Sequence, residues 1–335
     1  MSEQKPRIAF IGTGGTISFE GRNSLDLSEY MDFGTQITVS EILAHFPEVG
    51  QTVDMVPFDF RVVESTDLSP NDWRELSEKV HEVDQNGDAI DGIVITHGTA
   101  SLEETAYFLH LTVKTELPVV VIGSQRPSSG FATDAGSNLL AAVRTAASSE
   151  ARGLGVVTLL NEEIQCARDV TKGSTLRLEA FRTPDLGMLG YADPDGTIAI
   201  YRKPARPHTA ATEFDLSKIT DFPRVDIVAS YAGADGAAID AAVNAGAKAI
   251  VISTFAPGLL TPSQRVAVER ALAQGVVIVF SSRAGSGRVQ RRESMRKRGI
   301  VAADNLNPQK ARVLAILALT QSTDSEDIQR MFDTY

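Results

Sequence analysis

The sequence contains one cysteine, an excess of acidic over basic residues and no long hydrophobic run. Cys166 is the only cysteine among 335 residues, which excludes an intramolecular disulfide and a cysteine-rich zinc site. The formal net charge is −11, which disfavours a nucleic-acid-binding protein because phosphate recognition needs a concentrated basic face. No apolar run approaches the ~18 residues that span a bilayer. We therefore expect neither a nucleic acid nor a membrane as a partner.

The amino-terminal segment lacks the features of a secretory signal. Residues 1–12 pass from a short polar lead directly into a strand-like run, without a cationic region followed by a long apolar one. The cytoplasm is therefore the expected location. The remaining composition, 43% hydrophobic and 22% charged, is typical of a globular protein, and the length favours about two domains.

Short apolar runs alternate with segments of helical periodicity along most of the chain. The runs are rich in Val and Ile and mostly lack polar alternation, as in strands covered by helices on both faces of a sheet. The predicted strands are Ile8–Gly12, Gly92–Thr96, Pro118–Gly123, Leu154–Leu160, Val225–Tyr231, Lys248–Thr254 and Val276–Ser282. The predicted helices are Asn71–Gln85, Glu103–Lys114, Gly136–Ser148, Ala237–Ala245, Pro262–Gln274, Pro308–Gln321 and Ser325–Tyr335. This alternation predicts an α/β fold with parallel sheets.

The pattern stops between residues 203 and 222. This segment carries prolines, threonines and mixed charges with weak periodicity, which is typical of a connection between domains. We therefore predict a larger N-terminal catalytic α/β domain at 1–202, a linker at 203–222 and a smaller C-terminal α/β domain at 223–335.

A glycine-rich segment follows the first predicted strand and ends in Thr16. Glycines at this point allow a tight turn and backbone N–H groups beside an exposed hydroxyl. The segment lacks the lysine of a phosphate-binding loop and the third glycine of a dinucleotide fingerprint, which argues against a dehydrogenase. The same residues also fit an ordinary glycine turn with a capping threonine. If functional, Thr16 lies where open α/β sheets bind ligands.

A second strand-to-helix connection carries His97 and Thr99. Thr99 is expected near a helix N-terminus, where backbone N–H groups favour an anion. His97 is interpreted as a structural histidine, and Glu103 and Glu104 as first-turn acids that the helix dipole favours.

A third segment, at 168–172, contains Lys172. A lysine is usually a solvated surface group, but beside a threonine it can activate the hydroxyl.

Several segments together resemble bacterial L-asparaginases and glutaminase-asparaginases. They are TGGTI at 13–17, ITHGT at 95–99, EETAYFL at 103–109, RP at 126–127, RDVTK at 168–172 and LNPQKARVLA at 306–315. The resemblance covers nearly the whole chain in order. It implies a two-domain asparaginase-like fold, a homotetramer built as a dimer of dimers, and hydrolysis of a small-molecule amide without a metal or cofactor.

The resemblance also implies a role for individual residues. Thr16 is the implied nucleophile, and Tyr30, in the segment 23–33, is the implied lid tyrosine that assists it. Thr99 and Lys172 correspond to the second threonine and its lysine, which activate a hydroxyl or the attacking water. The implied substrate-binding residues are Ser65, Thr66, Gly98, Ala100 and Ser124. Among them, Ser65 is the residue that holds the substrate carboxylate. Backbone N–H groups near Thr99 and Ser124 are the implied oxyanion hole.

The chain departs from the family pattern around the substrate's α-ammonium group. The family has an aspartate after HGT, whereas this chain has Ala100. Loss of a charge-assisted hydrogen bond in a closed pocket costs ~1.5–3 kcal/mol. Thr66 replaces an amide or acid, and Leu259, in the segment 256–259, replaces an asparagine. The resemblance also aligns a further family acid with Glu293.

These departures leave three interpretations open. The enzyme is an asparaginase in which other groups replace the aspartate, or an amidase for a carboxylate-bearing amide that lacks the α-amino group. The third interpretation is an impaired or engineered family member that binds a ligand without turnover. Because both threonines and the lysine are present, the third interpretation is the least favoured.

Overall fold

The computed structural model describes residues 5–86 and 89–335. The chain divides into two compact units, Met1–Thr212 and Glu213–Tyr335. Residues 203–222 contain short 3-10 turns at Thr209–Ala211 and Leu216–Lys218. The ammonium group of Lys114 donates hydrogen bonds to the carbonyl groups of Thr209 and Thr212, which fastens this part of the chain to the first unit. The domain limits given above remain a prediction.

The first unit is built on a large, mostly parallel sheet. The strands of this unit are β1 (Arg7–Gly14), β2 (Phe19–Glu20), β3 (Thr35–Gln36), β4 (Asp54–Val63), β5 (Gly92–Thr96), β6 (Val119–Ile122), β7 (Val156–Leu160), β8 (Glu163–Cys166), β9 (Thr171–Lys172), β10 (Phe181–Arg182), β11 (Gly190–Ala192) and β12 (Ile198–Ile200). Of these, β2 pairs with β3 and β9 pairs with β10 in two separate small sheets. Its helices are α1 (Tyr30–Phe33), α2 (Val39–His45), α3 (Pro70–Gln85), α4 (Leu102–Thr112) and α5 (Ala135–Ala147). The order of the 8-stranded sheet is β12-β11-β8-β7-β6-β5-β1-β4.

Strands β4, β1, β5, β6 and β7 run parallel, so their carboxyl ends meet at one edge of the sheet. Along β1, Ile8 and Phe10 belong to the core on one face, whereas Ala9 and Ile11 belong to the core on the other. All of these side chains are fully buried. Burial on both faces explains why this strand has a continuous hydrophobic sequence.

The second unit is a smaller α/β layer structure. Its parallel sheet has the order β13 (Val225–Ala229), β14 (Ala249–Thr254), β15 (Val277–Ser282) and β16 (Val301–Ala302). Its helices are α6 (Ala237–Asn244), α7 (Pro262–Ala273), α8 (Glu293–Arg296), α9 (Pro308–Leu319) and α10 (Ser325–Thr334). Helix α9 begins as predicted, because the side chain of Asn307 accepts from the backbone N–H of Lys310 and Pro308 occupies the first turn.

The predicted α/β fold with a larger and a smaller parallel sheet is confirmed. Every predicted strand and helix is present, and each end differs by at most two residues. The sequence patterns missed β4, because this edge strand is partly exposed and contains Pro57. They also missed the short helix α2, which Thr38 and Glu41 cap reciprocally. In the described part of the chain, no helix has the length and apolar character needed to cross a membrane.

Candidate active site

A cavity of about 240 Å³ lies at the carboxyl ends of four neighbouring strands. Loops that follow β1, β4, β5 and β6 contribute to its wall, together with α1 and the segment around β9. The sequence-predicted site residues that line it are Thr16, Tyr30, Ser65, Thr66, Gly98, Thr99, Ala100 and Lys172. The wall also contains Gly15 of the glycine-rich segment, and residues that the sequence patterns did not indicate, namely Phe19, Met31, Glu64, Gln125, Thr175 and Leu176.

Close glycine contacts bring the loop after β1 against its neighbours. Gly15 has a φ of 83°, a conformation that L side chains rarely adopt, and a Cβ at this position would lie 2.0 Å from the Cα of Gly98. A Cβ on Gly98 would in turn lie 2.8 Å from the Cβ of Ser65. The glycines of both predicted motifs therefore allow three loops to meet at the cavity.

The hydroxyl groups of Thr16 and Tyr30 form the first polar pair of the cavity. Thr16 Oγ1 lies 3.0 Å from the Tyr30 hydroxyl oxygen. Tyr30 starts helix α1, is 6% exposed and packs edge-on against the ring of Phe19 at 5.5 Å. Burial raises the pKa of Tyr30 above its usual value of 10.0, so the phenol is protonated at neutral pH. The pair therefore offers a hydroxyl next to a protonated phenol.

Lys172 and Thr99 form the second polar pair. Lys172 Nζ donates a hydrogen bond of 2.7 Å to Thr99 Oγ1 across 73 positions of the chain. Burial lowers the pKa of Lys172 from its ordinary value of 10.5, while the carboxylate of Glu103 opposes this shift. Glu103 is a first-turn acid of α4 as predicted, but it is only 5% exposed and its charge acts on Lys172.

The wall beside Thr99 is formed by Ala100 and the loop after β4. The hydroxyl of Ser101 donates to the carbonyl oxygen of Ser65 at 2.6 Å, which ties this loop to the start of α4. Ser65 and Thr66 both reach the cavity, so a hydroxyl group is available where the resemblance implies carboxylate binding. The side chain that Ala100 brings to this wall is a methyl group, without charge or hydrogen-bonding capacity.

Ser124 lies outside the lining of the cavity. It is fully buried, and its hydroxyl donates to the carbonyl oxygen of Arg126 at 2.5 Å. The next residue, Gln125, reaches the cavity instead. A glutamine after a strand carries no distinctive sequence signal, which explains why Gln125 was missed.

The histidine of the second motif is part of the core. His97 is fully buried, and its Nδ1–H donates to the carbonyl oxygen of Gly98 at 2.7 Å. Burial lowers the pKa of His97 from 6.5 to about 4, so the ring is neutral at neutral pH. His97 is absent from the cavity wall, which is consistent with the structural interpretation.

Acid should destabilise the protein through His97. Between pH 6.5 and 4 the unfolded chain binds a proton at this position that the folded chain does not, so stability falls as pH falls. We expect a loss of about 3 kcal/mol over this interval, measured by urea unfolding. This contribution should disappear in His97→Gln and persist in His81→Gln, a change at an exposed histidine. An identical pH dependence in His97→Gln and the parent would contradict the assignment.

In the second unit, the departure at Leu259 and the aligned acid Glu293 both lie on the surface. Leu259 is 47% exposed and borders a small depression that also includes Arg292. Glu293 pairs with Lys297 at 2.7 Å on an exposed turn of α8. Among residues 5–86 and 89–335, no group of three or more His, Cys, Asp or Glu side chains is arranged to hold a metal ion.

Comparison with known proteins gives matches over both units. The model for the N-terminal asparaginase domain matches residues 7–206, and the model for the glutaminase/asparaginase C-terminal domain matches residues 224–332. L-asparaginase 2 of Bacillus subtilis is 37% identical over 100% of this chain and 88% of its own length. The glutaminase-asparaginase of Pseudomonas fluorescens biotype A is 37% identical over 98% of this chain and 90% of its own.

A solved structure is also similar to nearly the whole chain. The probable cytoplasmic L-asparaginase from Campylobacter jejuni has a TM-score of 0.94 and 37% identity, over 99% of this chain and 100% of that one. The fold and the cavity at the sheet edge define a two-domain α/β enzyme, and the similarity makes it a hydrolase that acts on amides. The chain belongs to the asparaginase family.

Proposed function

We propose that the protein hydrolyses a side-chain carboxamide to a carboxylate and ammonia, with Thr16 as the nucleophile. The observation that carries this proposal is the meeting of two hydrogen-bonded polar pairs, Thr16–Tyr30 and Thr99–Lys172, in one cavity. An amide needs a nucleophile, a stabilised oxyanion and a protonated leaving group. These two pairs, with the backbone N–H groups around Thr99, supply the corresponding donors and acceptors.

In the first step, Thr16 Oγ1 forms a bond to the carboxamide carbon. Tyr30 accepts the proton of Thr16 as its own proton passes to the departing nitrogen, so the C–N bond breaks and ammonia leaves. In the second step, a water molecule attacks the resulting ester, and Thr99 with Lys172 accepts the water proton. The ester bond breaks, the proton taken from water passes from Lys172 and Thr99 to Thr16 Oγ1, and the carboxylic acid is released.

The substrate carries a carboxylate as well as the carboxamide. In this proposal Ser65 and Thr66 hold the carboxylate at the end of β4, while the carboxamide lies between Thr16 and Thr99. Asparagine is the substrate named for the relatives, and it is the first candidate here. In a second candidate function, favoured by the methyl group of Ala100, the substrate is a dicarboxylic acid monoamide without an α-amino group.

Ammonia release from a panel of amides tests these functions. Turnover of asparagine at a millimolar or lower KM supports the first candidate, and a preference for succinamate supports the second. If no amide is hydrolysed while a ligand still raises the unfolding temperature, the chain is a ligand-binding family member and the proposed function is wrong.

Ala100→Asp should restore recognition of an α-ammonium group. We expect the KM for asparagine to fall by about tenfold or more, because the new carboxylate gains a charge-assisted hydrogen bond. Turnover of succinamate should weaken in the same variant, since its carboxylate is now repelled. Ala100→Asn, of equal size and without charge, is the matched control and should produce a much smaller change. An unchanged KM for asparagine in Ala100→Asp would contradict this account of the wall.

The assembly and compartment belong to the same proposal. The resemblance favours a homotetramer, which the mass of the native protein in solution tests directly. A cytoplasmic location agrees with the description of the Campylobacter jejuni relative, whereas a relative from Haemophilus influenzae is described as periplasmic.

A further inference from the structure

Gln125 brings an unused hydrogen-bonding group to the cavity. Its side chain lines the cavity and is only 8% exposed. The amide nitrogen Nε2 is buried and has no hydrogen-bond partner among the described residues. Buried polar groups in native proteins almost always have a partner, and one that lacks it in the free protein is available to a ligand.

The backbone around Gln125 is firmly held. The N–H groups of Gln125 and Arg126 donate to the carboxylate of Asp134 at 2.9 and 3.0 Å. The side chain of Asn138 donates to the same carboxylate at 3.2 Å and to the carbonyl oxygen of Gly123 at 2.9 Å. Because these bonds fix the turn after β6, the amide of Gln125 is presented to the cavity on a rigid support.

The strand order places Gln125 at the amide end of the proposed substrate. The sheet has the order β6-β5-β1-β4, and the loops after these strands carry Gln125, Thr99, Thr16 and Ser65 respectively. A substrate whose carboxylate lies at Ser65 and whose carboxamide lies between Thr16 and Thr99 therefore directs the far side of that carboxamide towards Gln125.

We propose that Gln125 is a specificity-determining residue that hydrogen-bonds the primary carboxamide of the substrate. This inference rests on the proposed function. A side-chain amide can turn by 180° about its last torsion, so Oε1 can occupy the unpartnered position of Nε2 and accept a hydrogen bond from the carboxamide –NH₂. A site that hydrogen-bonds an N–H rejects an analogue without it, and Gln125 thus selects primary amides over the corresponding esters.

The test compares the parent with Gln125→Met on a primary amide and on the methyl ester of the same acid. Methionine has nearly the same length but offers no strong donor or acceptor. We expect kcat/KM for the amide to fall by about tenfold and that for the ester to stay within twofold. The unfolding temperature should be unchanged or higher, because an unpartnered buried group is removed. If the enzyme does not hydrolyse the ester, the constant for inhibition of amide hydrolysis by the ester is compared between the parent and the variant instead of kcat/KM.

Two results would overturn the inference. Equal losses for amide and ester would show that Gln125 only supports the cavity wall, and no loss for either would show that it does not contact the substrate. If Gln125→Met does not fold, Gln125→Leu carries the same comparison. Failure of the parent to hydrolyse any amide would instead reject the proposed function, so the two failures are distinguishable.

Discussion

Replacing Thr16 by alanine should lower kcat for the preferred amide by about 10⁴-fold or more, because the attacking oxygen is lost. The fold should survive, since the hydrogen bond that the Thr16 side chain forms with Tyr30 is worth about 1 kcal/mol. Ammonia release gives the rate, and thermal unfolding gives the stability.

Thr16→Ser is the matched control for this change. It keeps the hydroxyl and should retain a substantial part of the activity. Thr13 provides a second control, because its hydroxyl donates to the carbonyl oxygen of Thr96 and lies outside the cavity wall. Thr13→Val should therefore leave the chemistry largely intact. If Thr16→Ala retained parental activity, Thr16 would not be the nucleophile.

Replacing Lys172 by methionine should lower kcat by about 10³-fold, within the usual range for general acid–base groups. The proposed role requires the neutral amine, whose fraction grows as pH rises towards the pKa of Lys172. Because burial lowers that pKa below 10.5, the parent rate should rise with pH with a midpoint below 10.5. His97, with a pKa of about 4, does not account for this rise.

The variant Lys172→Arg distinguishes proton transfer by the Lys172 side chain from an effect of its positive charge alone. Arginine retains the positive charge but does not give up its proton in proteins. If Lys172 accepts a proton, both variants lose the alkaline rise and most of the activity. If Lys172→Arg kept the parental rate and pH profile, Lys172 would act only through its charge, and the proposed second step would need a different base.

Strands covered on both faces are the part of the fold that local sequence predicts best. Burial of both faces favours apolar residues, as along Ile8–Ile11 of β1 and Ile93–Ile95 of β5, and produces a continuous apolar run. An edge strand such as β4 has no such constraint, and its mixture of exposed and half-buried residues hides it. The sequence contains the capping residues of α2, but a helix of 7 residues is too short to show a clear helical periodicity.

The candidate site depends on contacts between distant parts of the chain. Hydrophobic patterns placed Thr16 and Thr99 after strands, and parallel strands brought both to one edge. The hydrogen bond between Lys172 and Thr99 spans 73 positions, and only the family resemblance suggested it. No sequence pattern indicated Gln125. The feature that distinguishes this residue is a buried amide nitrogen without a hydrogen-bond partner among the described residues, which only the structure shows.

Covalent labelling during turnover tests the central claim most directly. The parent is mixed with its preferred amide, quenched in acid and digested with trypsin for mass spectrometry. We predict an added mass equal to the substrate minus ammonia on the peptide Ile8–Arg22, with fragmentation assigning it to Thr16 and not Thr13. The same added mass on the peptide Val80–Lys114, which contains Thr99, would contradict Thr16 as the nucleophile.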